Sequence, residues 1–292
     1  MTQPDDAIYK ERLRNERPLL GDSPTEIQQL LNLARQKVRT KAPDFNKIEI
    51  YSMFIGYPRS GHSIVGSMLD AHDKMIIAHE LNALKFIEAG CNYKELYWLL
   101  LYNSQQFARF GRNWGDYQYE VPGQWQGRFS ELKVIGDKKG GTSSMLIGRE
   151  PDILLQLEKI VPHPIRFIHV VRNPYDNIAT LACKDTHDLN SAVRLYFQLC
   201  HVNEKISGHA GPANVLTLRH EDIIAAPEEE LKRICSFLNL PVELDWLTAC
   251  AGIVADSPSR TRQKINWTQK IREMINSHID SFGFLNGYCF ED

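Results

Sequence analysis

The stretch from Ile48 to Asp70 limits what this chain can fold into more than any other. Ile48-Glu49-Ile50-Tyr51-Ser52-Met53-Phe54-Ile55 is a short run of apolar residues and β-formers and predicts a strand. Gly56-Tyr57-Pro58-Arg59-Ser60-Gly61-His62-Ser63 is turn chemistry bounded by glycine. Ile64, Val65, Met68 and Leu69 then recur at the spacing of one helical face. Strand, glycine loop and helix together build an anion cradle. Loop amides and the positive end of the helix dipole converge where a phosphate or sulfate can sit.

Gly56 to Ser63 has the spacing of a Walker A loop, G-x-x-x-x-G-K-[ST], with His62 in place of the lysine. A neutral imidazole cannot supply the fixed charge that holds the β- and γ-phosphates of a nucleoside triphosphate. Arg59 puts a cation in the middle of the loop instead. The cradle is kept while the ATP or GTP reading is damaged. A strand–turn–helix junction with an arginine of no special role stays open as the plain alternative.

The rest of the chain alternates in the same way. Ser23-Pro24-Thr25-Glu26 is a capping box, and a helix should run from it to about Thr40. Further strands are expected at Met75–Ala78, Leu132–Lys139, Ile165–Val171 and Val215–Arg219. Helices are expected over about 91–110, 151–161, 189–207, 227–238 and 268–281. Asn173 is an N-cap, with Pro174 at the first helical position. Strands alternating with helices define an α/β fold with a parallel sheet. Residues 1–22 read as a polar tail or arm, and 23–292 as one domain.

Hydrophobic content of 43% and charged content of 24% are ordinary for a soluble globular protein. A net charge of -2 gives no sign of nucleic-acid binding. The six cysteines form no CxxC pair and suggest reduced, mostly buried thiols. Met1-Thr2-Gln3-Pro4-Asp5-Asp6 is no signal peptide, and Tyr97–Tyr102 is far too short to span a bilayer. These features point to the cytosol.

Three further places carry candidate chemistry. Glu80 follows the expected strand Met75–Ala78, and reads either as a helix-start glutamate favoured by the dipole or as a general base. Ile165–Val171 runs into Arg172 at the carboxyl edge of the sheet, where open α/β sheets bind ligands. A Walker B strand would end in Asp to hold magnesium; this one ends in Arg and wants an anion. Arg260, Arg262 and Lys264 make a basic loop, either a solvated surface or a phosphate clamp. Residues 91–130 are rich in aromatics: the helical half reads as core, and the glycine-rich half as core or as a lid over an acceptor cleft.

Four segments in order resemble the sulfotransferases that use 3′-phosphoadenosine 5′-phosphosulfate. They are Tyr57-Pro58-Arg59-Ser60-Gly61, Val171-Arg172-Asn173-Pro174-Tyr175-Asp176, Arg219-His220-Glu221-Asp222 with Phe237-Leu238-Asn239-Leu240-Pro241, and the basic loop up to Trp267. Leu69-Asp70-Ala71-His72 makes the tyrosylprotein-type branch the nearest. The resemblance implies a P-loop NTPase-like three-layer sandwich around a central parallel sheet. It implies that Arg59, Ser60, Gly61, His62 and Ser63 hold the 5′-phosphosulfate, and that Arg172, Thr180 and Arg260 hold the 3′-phosphate. Glu80, twenty-one residues after Arg59, falls at the family's catalytic base, and Lys138 at its transition-state lysine. His220 replaces the tyrosine that touches adenine, and Ile64 stands where the cytosolic branch stacks adenine on tryptophan. No metal is implied. The acceptor is a small molecule, glycan, lipid or peptide bearing a hydroxyl or amine. The rival readings are a P-loop kinase with a degenerate loop, and a nucleotide-binding protein without chemistry.

Overall fold

A computed structural model describes residues 23–41, 43–114, 117–185 and 188–292. The expected tail, 1–22, lies outside the described residues. The first strand, β1 (Ile50–Gly56), is buried along its whole length. It pairs in parallel with β5 (Val134–Lys138) on one side and β6 (Ile165–Val171) on the other. Outside these lie β2 (Met75–His79), beside β5, and β7 (Val215–Arg219), beside β6, giving the order β2-β5-β1-β6-β7. A separate two-stranded hairpin joins β3 (Asn113–Trp114) to β4 (Tyr117–Gln118).

The period of 2 along the strands sorts side chains onto two faces and so makes three layers. Tyr51, Met53 and Ile55 of β1 join one buried cluster with Ile76, Ile135 and Phe167. That face is covered by α1 (Pro24–Lys41), α3 (Ala83–Glu88), α4 (Tyr93–Arg109) and α6 (Asp152–Ile160). Ile50 and Phe54 join a second cluster with Ile77, Val134, Ile168 and Leu218. It is covered by α2 (His62–Asp70), α10 (Pro227–Phe237) and α11 (Leu244–Ala251). A third cluster packs α7 (Pro174–Lys184), α8 (Leu189–Ala210) and α12 (Gln269–Ile279) around Tyr57, Tyr196 and Phe282. The Ser23 cap forms, with the Glu26 amide donating to its hydroxyl at 3.3 Å.

Among the described residues four helices go beyond the sequence reading: α5 (Gly141–Arg149), α3, α9 (His220–Ala225) and α11. The first opens on Gly140-Gly141, which reads locally as a turn. Tertiary packing overrides that signal, because both glycines are pressed against the loop after β1. Among the described residues no helix is long and apolar enough to cross a membrane.

Candidate active site

All five parallel strands deliver polar residues to one edge. The loop 56–61 follows β1, Glu80 follows β2, Lys138 ends β5, Arg172 follows β6 and His220 follows β7. The chain order reverses at β1, which is the switch point where such sheets leave a crevice.

The loop turns through left-handed backbone at Arg59 (φ +66°) and Gly61 (φ +91°). Left-handed backbone is costly for an arginine and is held from outside. The Asn177 amide donates to the Pro58 carbonyl at 2.7 Å, and an Arg172 Nη1 to the Arg59 carbonyl at 3.4 Å. At Gly61 even a methyl group would lie 2.2 Å from His220 Nδ1, so the His220 ring packs directly on the loop. The Gly56 amide donates to Ser144 Oγ at 3.0 Å, tying the loop to α5.

Behind the loop lies a buried charge cluster. Lys138 is fully buried, and its Nζ sits 2.5 Å from Glu80 Oε1 and 3.0 Å from Ser63 Oγ. Lys139 Nζ lies 3.1 Å from Glu80 Oε2. His62 Nε2 lies 3.6 Å from Glu80 Oε1, and its Nδ1 3.2 Å from Ser60 Oγ. Burial pushes the Glu80 carboxyl up, but Lys138, the His62 hydrogen bond and Lys139 together outweigh it and hold the group well below its usual value. Burial lowers His62, against the pull of Glu80, so the imidazole is neutral at neutral pH. Two glycines make room for these side chains. A methyl group on Gly66 would lie 2.5 Å from Lys138 Cγ, and one on Gly140 2.9 Å from the His62 ring. The helix-start reading of Glu80 does not describe this geometry, since its carboxylate goes to lysines across the sheet edge.

A second cluster gathers around Arg172, which is 5% exposed. Its Nη1 reaches Thr180 Oγ1 at 3.4 Å, and its Nη2 reaches the Ser259 carbonyl at 2.5 Å and Ser259 Oγ at 2.9 Å. Among the described residues its Nε is buried with no hydrogen-bond partner, as is His220 Nδ1. Burial followed by the charge of Arg172 pushes His220 down to about 4, so that ring stays neutral. An orphaned buried guanidinium N–H of this kind fits a ligand oxygen.

The cations singled out in the sequence lie in different surroundings. The Arg59 guanidinium, 41% exposed, is engaged by Asp185, with Nη2 to Oδ1 at 2.7 Å and Nε to Oδ2 at 3.3 Å. Arg260 is exposed beside Ser259. Arg262, one of the three clamp candidates, is buried against Asp176 at 3.1 Å and donates to the carbonyls of Cys289, Phe290 and Asp292. It is a structural cation. Arg262→Ala should lower stability by about 3–5 kcal/mol, because it strands a buried carboxylate. Urea unfolding of the two proteins measures this, and a loss under 1 kcal/mol would reject the structural role. Ile64 is half-buried against the second core cluster. Lys139, Ser259, Gly66 and Gly140 escaped the sequence reading; only the strand ending Lys138-Lys139 carried a signal.

The aromatic half-loop closes beside the charge cluster. His79 stacks on Phe107 at 4.1 Å, with Trp114 at 5.6 Å and Tyr119 at 5.7 Å. Gln126 ties the loop to α2, donating to Ser67 Oγ at 2.9 Å and to the Tyr119 carbonyl at 2.9 Å. Asp70, at the end of α2, pairs with Arg112 at 2.8 Å, both buried.

A P-loop-like sheet with a lysine–glutamate pair on one side of its loop and a buried arginine on the other defines an anion-transfer site. A profile of the sulfotransferase family matches residues 53–244. The chain belongs to that family, and it is an enzyme of sulfuryl transfer. The sulfotransferase domain of the Synechococcus PCC 7002 olefin synthase superposes with a TM-score of 0.52 at 15% identity, over 82% of this chain and 97% of that one. Sulfotransferase STF9 from Mycobacterium avium gives 0.50 at 12% identity, over 94% and 91%. Sulfotransferase STF1 from Mycobacterium tuberculosis H37Rv gives 0.50 at 12%, over 95% and 86%. At these identities the likeness shows the fold. Among curated proteins, no sequence matches the chain.

Proposed function

We propose that this sulfotransferase takes its sulfuryl group from 3′-phosphoadenosine 5′-phosphosulfate and passes it in line to a hydroxyl or amine of the acceptor. The observation that carries this reading is the buried Lys138–Glu80 pair, with Ser63 of the loop on the same ammonium. Arg172, Thr180 and Ser259 supply donors and hydroxyls for a phosphate on the far side of the loop. Arg260 reaches the same phosphate from the exposed rim, and the His220 ring faces the base.

The roles follow from charge. Glu80 takes the acceptor proton. Lys138, Arg59, Ser60, Ser63 and the loop amides, Gly61 and His62 included, meet negative charge growing on the sulfuryl oxygens and the leaving phosphate. Paired with Lys138, Glu80 is a weak base. When Lys138 turns to the sulfuryl oxygens, the carboxylate loses its nearest cation and its proton affinity rises. Base strength is thereby tied to donor arrival. The aromatic loop around Trp114, Tyr117 and Tyr119 forms the acceptor lid. Leu69-Asp70-Ala71-His72 and the placement of Glu80 support the tyrosylprotein-type branch. All six cysteines are free, which suits the cytosol.

Thermal unfolding tests the donor. Adenosine 3′,5′-bisphosphate at about a hundred times its Kd should add about 2.7 kcal/mol of stability. ATP with magnesium at equal concentration should add much less. Greater stabilisation by ATP would overturn the donor assignment.

A further inference from the structure

The residue before Lys138 has no place in the chemistry described so far, yet it is built into the same turn. Asp137 is 1% exposed at the end of β5. Its Oδ1 accepts from the Leu81 amide at 3.2 Å and its Oδ2 from the Ala83 amide at 2.7 Å. The segment it grips is conformationally costly. Glu80 (φ +62°) and Asn82 (φ +67°) are both left-handed and neither is glycine. Such residues persist only where their surroundings over-determine them, and they gather at functional sites.

Consecutive residues of a strand point to opposite faces. Lys138 grips the Glu80 carboxylate from one face, and Asp137 grips the following backbone from the other. Between them the Lys138 carbonyl accepts from the Glu80 amide at 3.0 Å. Burial pushes the Asp137 carboxyl up to about 6, against the Ala83 amide and the two lysines, so at neutral pH it is ionised and both oxygens accept.

We infer that Asp137 is a positioning residue for the base: by clamping the amides of Leu81 and Ala83 it holds the left-handed turn that aims Glu80 at the acceptor. The inference rests on the reading of Glu80 as the base. Among the described residues the Asp137 carboxylate bonds the Leu81 and Ala83 amides and neither the Arg172 cluster nor the loop, so its loss acts on turnover and leaves donor binding alone.

Asp137→Asn replaces one acceptor oxygen by an amide that faces an N–H. Its kcat should fall by about 10²-fold, the cost of a base misplaced by about an ångström. Donor KM and the Kd for adenosine 3′,5′-bisphosphate should be unchanged. Asn82→Gly, which takes a positive φ freely, should leave the parent activity unchanged and restore at least tenfold of the kcat lost in Asp137→Asn. A merely structural aspartate would lower donor affinity and kcat together. An active Glu80→Gln overturns the base assignment and the inference with it. With Glu80→Gln inactive, wild-type kcat in Asp137→Asn overturns the clamp alone, as does a loss that Asn82→Gly does not relieve. Should Asp137→Asn fail to fold by circular dichroism, Asn82→Val carries the test. It makes the left-handed turn dearer while keeping the clamp, so kcat should fall at constant donor KM. Wild-type kcat there also overturns the inference.

Discussion

Glu80→Gln gives a folded protein that binds adenosine 3′,5′-bisphosphate normally and transfers almost no sulfate. Glutamine is the informative change, because it keeps an oxygen for the Lys138 ammonium while removing the proton acceptor. Alanine would strand two buried lysines, Lys138 at 2.5 Å and Lys139 at 3.1 Å from the lost carboxylate. Loss of a general base lowers kcat by about 10²–10⁴-fold. Single-turnover transfer with saturating donor isolates that step from binding. If the rate stays within threefold of the parent, Glu80 is not the base.

The second large effect concerns the nucleotide. Arg172→Ala should weaken binding of the 3′-phosphorylated donor by about 10–100-fold, the equivalent of one charge-assisted hydrogen bond of about 1.5–3 kcal/mol. Adenosine 5′-phosphosulfate, which lacks the 3′-phosphate, should bind parent and variant alike. This comparison removes the general cost of the substitution, since Arg172 also holds the Ser259 and Arg59 carbonyls. Equal losses for both nucleotides, measured by calorimetry, would show that Arg172 only braces the loop.

The sheet was legible from sequence because its strands are buried runs with turn chemistry at each end. Tyr51, Met53 and Ile55 alternate with residues of the opposite face, and both faces are apolar. The short helices were less legible. His220–Ala225 carries Glu221 and Asp222 in its first turn but spans only six residues, too few for a periodic signal. In the site, the loop and Arg172 follow from local pattern, since each sits on a strand-to-helix turn. Glu80 and Lys138 needed the family resemblance. They meet because β2 and β5 are neighbours, and no local rule announces that His79 pairs with Lys138. The basic loop could not be resolved from sequence for a related reason. Composition gave three cations, and only tertiary contact separates Arg262, buried on Asp176, from the exposed Arg260 and Lys264.

Gly66 faces inward from α2, where a β-carbon would overlap the Lys138 stem. The two positions are seventy-two apart in the chain and share one volume. A lysine can lie buried behind the loop only while residue 66 stays without a side chain. Any drift toward alanine at 66 has to be preceded by a shorter residue at 138, and that first step removes the cation. The pair therefore behaves as a ratchet: neither position can change alone without cost, and the pathway between the two states passes through an enzyme without its cation.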